Sequence, residues 1–598
     1  MSLPATSVPA NPRRETRNFL LLLWAAAAVS LALGSGINSL STDDAMRLVE
    51  VRDFLAGQGW FDMTQYRLDP PLGVVTHWSR LLDLPLALII KILSAFTSET
   101  FAESVALAVW PTALLLLFLA GVSRLACALS GDIAARLALV LAVLMAPVLQ
   151  NFRTGAIHHH GLQLVLLVWA LALFVQKSPR THEAAAAGVL GALSIAIGQE
   201  MAPAVVALAA VAGLRWIVLG ETCRRATAAF ALSLAIAALV FAVATIPPAD
   251  YFTVHCDAIS IGQVGALASG GFGLAALAAS ARLNSIAARA AGATAIAALL
   301  LAFIATGAQQ CIGDPYAALD PRLATLWLAS VNEARNLFSM LHDLPQQVPP
   351  YYGNAFAGLA LGVAACVKEE DEARWDWIAA TASLAVLALL SAWEVRGASG
   401  ANALGAVLVP AALIRLLPAR AGGMVYFGVP RAALIAMLFL NPLTLVALGS
   451  GAAHAFAAVK APAGKIISSG DAGTCQRRAD YAPLATLPRG LVLAFIDSGP
   501  FILLETQHSV LAAPYHRNQS GNLAMLDMML AAPAEAERRM AARGVDYVAF
   551  CPGAPERYND AAAAPNSLAA ALANDQAPAF LERIAFEGTD LAVYQVRR

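Results

Sequence analysis

Two adjacent carboxylates, Asp43 and Asp44, stand just past the first long apolar run, in STDDAMRLVEVRDFLAGQGWF, where a membrane helix would hand the chain back to water. A carboxylate at that boundary is partly desolvated, which raises its pKa toward the range of a general base, and it can also ligate a divalent cation. The pair has a plainer use as well. With Ser41 or Thr42 as N-cap, acids in the first helical turn interact well with the helix dipole. Neighbouring helical side chains point about 100° apart, so one reacting atom is served by Asp43 or by Asp44 and not by both.

His158, His159 and His160 form a consecutive run at the outer end of the third apolar segment, behind Arg153. Imidazoles bind divalent cations or shuttle protons, and on a helix two of three consecutive rings can converge. No HExxH spacing points to a zinc protease. Glu333 lies in SVNEAR within a long loop, and Glu200 lies in GQEMAP between two spans, where an ionisable group is costly to bury and is a functional candidate. Arg80, Arg153, Arg322 and Arg396 fall on the same side, and a guanidinium takes two phosphate oxygens in one bidentate contact.

The elements that must position these groups are membrane helices. Of 598 residues 59% are hydrophobic and 13% charged, with a mean hydropathy of +0.65, more apolar surface than one soluble core can bury. About thirteen runs near spanning length lie between residues 19 and 449. The expectation is a polytopic α-helical membrane domain over 19–454, a disordered cytoplasmic tail at 1–18, and a small extracytoplasmic α/β domain over 455–598. Alternate short connections carry Arg124 and Arg136, Lys177 and Arg180, Arg224 and Arg225, Arg282 and Arg289, Lys368 and Arg374, then Arg415 and Arg420. Those connections belong in the cytoplasm, and an odd number of spans puts the tail on the side of Asp43 and Asp44. The net charge of −1 offers nothing to nucleic acid, so an anionic ligand needs a local cluster.

Two external loops, 39–101 and 309–351, exceed ordinary connection length and read as functional. In the first, Leu48, Val51 and Leu55 follow helical spacing, which predicts an amphipathic helix lying on the membrane surface. In the second, LATLWLASVNEARNLFSML predicts a helix through Glu333. In the tail, NLAMLDMMLAAPAEAERRMAAR predicts one helix among several short strands. Cys256 and Cys311 fall in external loops, and Cys475 and Cys551 in the tail, so the pairs Cys256–Cys311 and Cys475–Cys551 are expected in an oxidising compartment.

The order of these features resembles the C-type (GT-C) glycosyltransferase superfamily, membrane enzymes using lipid-phosphate sugar donors, and within it the catalytic subunit of oligosaccharyltransferase. The likeness rests on TDDAMRLVEVRDFLAGQGWFD after the first span, PPLGVVTHW within that loop, GAIHHHGLQ after the third span, and Ser330-Val331-Asn332-Glu333 in the later loop. It implies that Asp44 or Asp43 and Glu333 are catalytic, lining a site with the acceptor and a divalent metal, Mg or Mn. His158, His159 and His160 stand where the family has Asp-containing motifs. Arg153, Arg396, Arg80 and Glu200 are the expected substrate-binding groups. The Trp-Trp-Asp-Tyr-Gly motif that reads an Asn-x-Ser/Thr acceptor is missing, and FIDSGPFILLET and APYHRNQSG stand in the tail instead. The expected activity is therefore transfer of a hexosyl or pentosyl group from a polyprenyl-phosphate donor to a lipid, polysaccharide or protein hydroxyl, with the bacterial inner membrane and periplasm as the setting. The rival is a transporter or flippase of lipid-linked sugars. It predicts ionisable residues near mid-bilayer, whereas the acids here gather in external loops.

Overall fold

The computed structural model describes residues 12–34, 40–176, 180–313, 316–417, 425–426, 429–459, 475, 477–552 and 564–597. Lys177, Arg420 and the expected tail before residue 12 lie outside them. The first helix, α1, already begins at Pro12, so residues 12–18 are helical. Proline at a first helical position loses only an amide that has no partner there anyway.

Apolar runs without water have one way to satisfy their backbone, and the chain takes it. Among the described residues eight helices are long and apolar enough to cross a membrane, or nine if the bent pair Arg431–Leu440 and Pro442–Gly451 is one span. One of the eight, α4 (Glu99–Ala142), runs 44 residues and is broken at Ser130 and Gly131, where Gly131 takes φ +85°. Alanine and glycine let these helices approach closely. A Cβ on Gly188 would lie 2.4 Å from the Phe230 carbonyl oxygen, and one on Gly405 2.7 Å from that of Asn354. Leu33, Leu299 and Leu301 remain exposed on the outer faces.

The external parts share a second core. Helix α2 (Thr42–Leu55) is N-capped by Ser41 in a capping box with Asp44. It packs between α3 (Arg80–Ser94) and the C-terminal domain's helix Gly499–Glu505. Residues Asp44 to Val51 are all buried, polar ones included, so this helix does not lie on the membrane surface as its periodicity predicts. Its polar face turns to partners inside the protein: Arg47 pairs with Asp83 at 2.7 Å and lies 4.3 Å over the Trp78 ring.

The C-terminal domain carries a five-stranded mixed sheet in the order Ser509–Val510, Leu491–Ala494, Val545–Phe550, Ala592–Val596, Leu581–Ile584. The first three strands are parallel and the last two pairings antiparallel. The single tail helix expected from NLAMLDMMLAAPAEAERRMAAR is two, Gln519–Met529 and Pro533–Arg543, since Pro533 cannot continue the first. Cys475 and Cys551 are joined within the domain, and Cys256 and Cys311 join two external connections. The first external loop adds itself to the sheet edge through Leu68 beside Val510, so the Asp43 loop and this domain occupy one face of the membrane domain.

Candidate active site

Asp44 and Asp43 have separate fates. The Asp44 carboxylate is fully buried and accepts hydrogen bonds from Ser41 Oγ at 2.7 Å, Arg153 at 2.7 Å, and the Ile157 and His158 amides at 2.8 and 3.0 Å. His158 Nδ1 adds a contact of 2.6 Å. Burial alone would raise this carboxyl, but His158 and Arg153 hold it well below its ordinary range. Asp44 thereby fastens the loop after α4 onto the start of α2. Asp43, one residue earlier, lines a cavity of 1180 Å³ walled by both the helical part and the C-terminal domain. Burial, reinforced by the Glu333 carboxylate, pushes it up to about 6.

The same cavity gathers His159, His160, Glu200, Glu333 and Arg396. His160 opens the apolar helix His160–Phe174, and Glu200 sits in the turn between helices Thr181–Ile197 and Ala202–Leu219. His159 Nε2 meets Glu200 Oε1 at 3.0 Å. Glu333 reaches the cavity because the helix expected through it is absent. Val331 and Arg335 are extended and isolate the 3-10 turn Asn332–Ala334, which with a second such turn at Leu328–Ser330 connects short helices Pro321–Leu326 and Leu337–Asp343. Arg396 stands between two acids, with Nη1 3.9 Å from Glu200 Oε1 and Nε 3.9 Å from Glu333 Oε2. Its Nη2 donates to the Tyr316 hydroxyl at 3.2 Å. A smaller cavity of 260 Å³ shares His160, Glu333 and Arg396 as its wall.

Other expected residues are placed elsewhere. Arg80 does not line the cavity: its guanidinium is buried and donates to Asp83, Gln58 and the carbonyls of Glu50 and Asp62. Arg153 is bound to Asp44, and Arg322 pairs with Asp320 and Asp527 at the surface. His158 is held between Asp44 and Asn151, and among the three histidines only His159 and His160 join a metal-capable group.

That group is His159, His160 and Glu200, whose donor atoms lie within 4.8 Å of one another. Buried polar atoms without partners surround it: His159 Nδ1, Glu200 Oε2 and both amide atoms of Gln163. A Cβ on Gly198 would fall 2.6 Å from Glu200 Oε2 and 2.8 Å from Gln163 Nε2, so glycine there keeps the space between them open. Buried polar groups in native proteins are nearly always satisfied, and a coordinated cation would satisfy the Glu200 and Gln163 oxygens, although not the Gln163 amide nitrogen, which is a donor. Two imidazoles and a carboxylate suit zinc-class ions better than magnesium, which prefers oxygen alone. Sequence reasoning missed Gln163, although it follows His159 by one helical turn in HHHGLQ. It also missed Asp497 of FIDSG, which the C-terminal domain brings within electrostatic reach of Asp43. Desolvation and that neighbouring charge push Asp497 up to about 6.

No protein-family model matches the chain, and no curated protein sequence matches it. Solved structures do. The archaeal oligosaccharyltransferase AglB from Archaeoglobus fulgidus, in complex with an inhibitory peptide and a dolichol-phosphate, aligns with a TM-score of 0.65 at 15% identity over 95% of this chain and 73% of that one. The same organism's oligosaccharyltransferase in complex with Zn and sulfate aligns with a TM-score of 0.59 at 17% identity over 97% of this chain and 73% of that one. The chain has the fold of the C-type glycosyltransferases, a membrane domain of many helices bearing a C-terminal α/β domain.

Proposed function

We propose that this protein is a glycosyltransferase that moves a single hexosyl or pentosyl group from a polyprenyl-phosphate donor to a hydroxyl acceptor at the extracytoplasmic face of a bacterial inner membrane. One observation carries the reading: five separate chain segments deliver Asp43, the His159–His160 pair, Glu200, Glu333 and Arg396 to one cavity. A transporter needs no such gathering of acids and imidazoles at one membrane face. Counting α4 as two crossings, the bent pair as one, and adding helices His160–Phe174, Thr181–Ile197 and Val348–Lys368 would make thirteen spans, an odd number that supports a periplasmic C-terminal domain in this reading.

In this reading Asp43 accepts the acceptor hydroxyl's proton as the oxygen attacks the anomeric carbon, with inversion at that carbon. Glu333 orients the acceptor. Arg396, with Nε lacking a hydrogen-bonding partner, faces the phosphate that departs with the lipid and stabilises its growing charge. His159, His160 and Glu200 would hold a divalent cation, which supplies Lewis-acid stabilisation of the same leaving phosphate. The acceptor is a lipid, polysaccharide or protein hydroxyl. Neighbouring AglB was solved with a dolichol-phosphate, an anchor of the polyprenyl class.

The test uses purified protein in nanodiscs with a panel of labelled polyprenyl-phosphate sugars and cell-envelope extract as acceptor source. Wild type should release polyprenyl phosphate and label an acceptor, and Asp43→Asn should not. Wild type that consumes no donor yet moves it across sealed liposomes would overturn the enzyme in favour of a flippase.

A further inference from the structure

A second group of donor atoms lies in the same cavity, apart from those used above. His77 comes from the first external loop, Asp257 from the connection between helices Glu221–Thr245 and Ile261–Ala279, and His516 from the C-terminal domain. All three line the cavity, and their donor atoms lie within 4.8 Å of one another. We propose that His77, Asp257 and His516 form a second, zinc-class cation site that staples the C-terminal domain over the mouth of the cavity.

The donor set is two imidazoles and one carboxylate, a three-ligand combination that zinc takes with a fourth position left to water or another ligand. His516 Nε2 and Asp257 Oδ2 are 2.7 Å apart and share a hydrogen bond. Ligands on tetrahedral zinc stand roughly 3.3 Å apart for bonds of about 2.0 Å, so this pair must open by about 0.6 Å. His516 would then present Nε2 as a lone pair and keep a proton on Nδ1. The His77 and His516 rings are 5.0 Å apart between centroids, and His77 meets no hydrogen-bonding partner among the described residues.

Support around the carboxylate is already built. Arg517 donates Nε to Asp257 Oδ2 and Nη2 to Oδ1, each at 2.7 Å, and Nη1 to the Thr76 carbonyl at 3.3 Å. A carboxylate has about four lone-pair positions, so these bonds fix its orientation and leave one for a cation. Cys256, next to Asp257, is bonded to Cys311, which limits how far this connection moves. The tie reaches the reaction centre too, since the Tyr515 hydroxyl, next to His516, donates to the Thr42 carbonyl beside Asp43 at 3.4 Å.

The experiment is zinc stoichiometry on chelator-stripped, repurified full-length protein, with cobalt absorption as a second measure that reports imidazole coordination. Wild type should take up two equivalents, His77→Ala or His516→Gln one, and the double variant His159→Ala/His160→Ala one. Zinc should also slow amide exchange across Leu511–Asn518 about tenfold in wild type and leave His77→Ala unchanged. Two equivalents retained by folded His77→Ala and His516→Gln would overturn the proposal, as would a single equivalent in wild type that the His159/His160 variant abolishes. A single equivalent lost only on His77→Ala would sustain it and remove the cation from the proposed reaction centre, so the two readings fail separately.

Discussion

Asp44 Oδ1 lies 2.6 Å from His158 Nδ1, and this contact divides the labour of the acidic pair: Asp44 is consumed in holding the structure, and Asp43 is left facing the cavity. The pair therefore responds differently to neutralisation. Asp43→Asn should keep wild-type thermal stability and lose about 10²–10⁴ in turnover, the usual worth of a general base. Asp44→Asn should cost about 3 kcal/mol of stability, because it leaves Arg153 and His158 facing a neutral amide in a buried site. Equal losses of melting temperature in the two variants would contradict this division. Asp43 must be ionised to act, so the activity of wild type should fall as pH drops through about 6.

Gly198 supplies a sharper probe of the cation centre than removal of a ligand. Its backbone is extended, which any residue adopts, so Gly198→Ala carries no conformational penalty. Its methyl group would instead sit 2.6 Å from Glu200 Oε2 and 2.8 Å from the His159 ring carbon Cδ2. The expected result is at least tenfold weaker zinc or cobalt binding at this centre, with helix content and expression unchanged. Undiminished affinity would mean that the space between Gln163 and Glu200 holds nothing.

Beneath the cavity, Glu50 is buried against Arg47 and Asp83. Burial, with Asp83 adding to it and Arg47 opposing, raises its carboxyl to about 8 from an ordinary 4.5. The folded state then binds a proton between those limits that the unfolded state has released, so stability falls as pH rises from 4.5 to 8, with a slope of up to about 1.4 kcal/mol per pH unit. Glu50→Gln should match wild type near pH 4.5, exceed it near pH 8, and flatten the dependence. Melting curves in detergent across that range decide it, and a variant less stable at every pH would show that Glu50 is held ionised by Arg47.

The membrane domain was legible in the sequence because spanning length and hydropathy are local properties. The apolar helices needed only their own residues, though eight of the described ones, or nine with the bent pair, reach spanning length and hydropathy against about thirteen expected, and the disulfide pairs needed only the loops in which their cysteines fall. The site was legible as a set of residue types but not as an arrangement. Nothing local distinguishes Asp43 from Asp44, since the difference is made by Arg153 and His158 more than a hundred residues away. Helical periodicity misled at Glu333, where the extended residues Val331 and Arg335 override a good helical pattern so that a carboxylate can point inward. It misled again at α2, whose polar face reads as solvent-facing but is covered by the C-terminal domain. Arg80 illustrates the converse: a cation of the expected kind whose two terminal nitrogens are engaged by α2, its own helix and the loop between them.

The covering of α2 is itself testable at Arg67. At the end of helix Gly499–Glu505, Thr506 caps only the Ile502 carbonyl, which leaves those of Leu503 and Leu504 to other partners, and a cation is well placed at a helix C-terminus. Arg67 supplies it from the first external loop, donating to the carbonyls of Leu503 at 2.8 Å and Thr506 at 2.9 Å and, more weakly, of His508 at 3.3 Å, while Arg52 takes that of Leu504 at 2.6 Å. The same strand exchanges backbone bonds with Val510, from Asp69 N at 2.8 Å and to Arg67 O at 2.9 Å. Charge-assisted bonds of this kind contribute about 1.5–3 kcal/mol each before the loss of side-chain entropy. Arg67→Ala should therefore speed amide exchange at Asp69 and Val510 by at least about tenfold, leaving Val548 in the sheet centre at the wild-type rate. It should also lower turnover through a looser cavity mouth rather than through chemistry, seen as a raised KM with kcat nearly unchanged. Faster exchange at Val548 as well would mean that the domain depends on the membrane portion for its folding and not only for its docking.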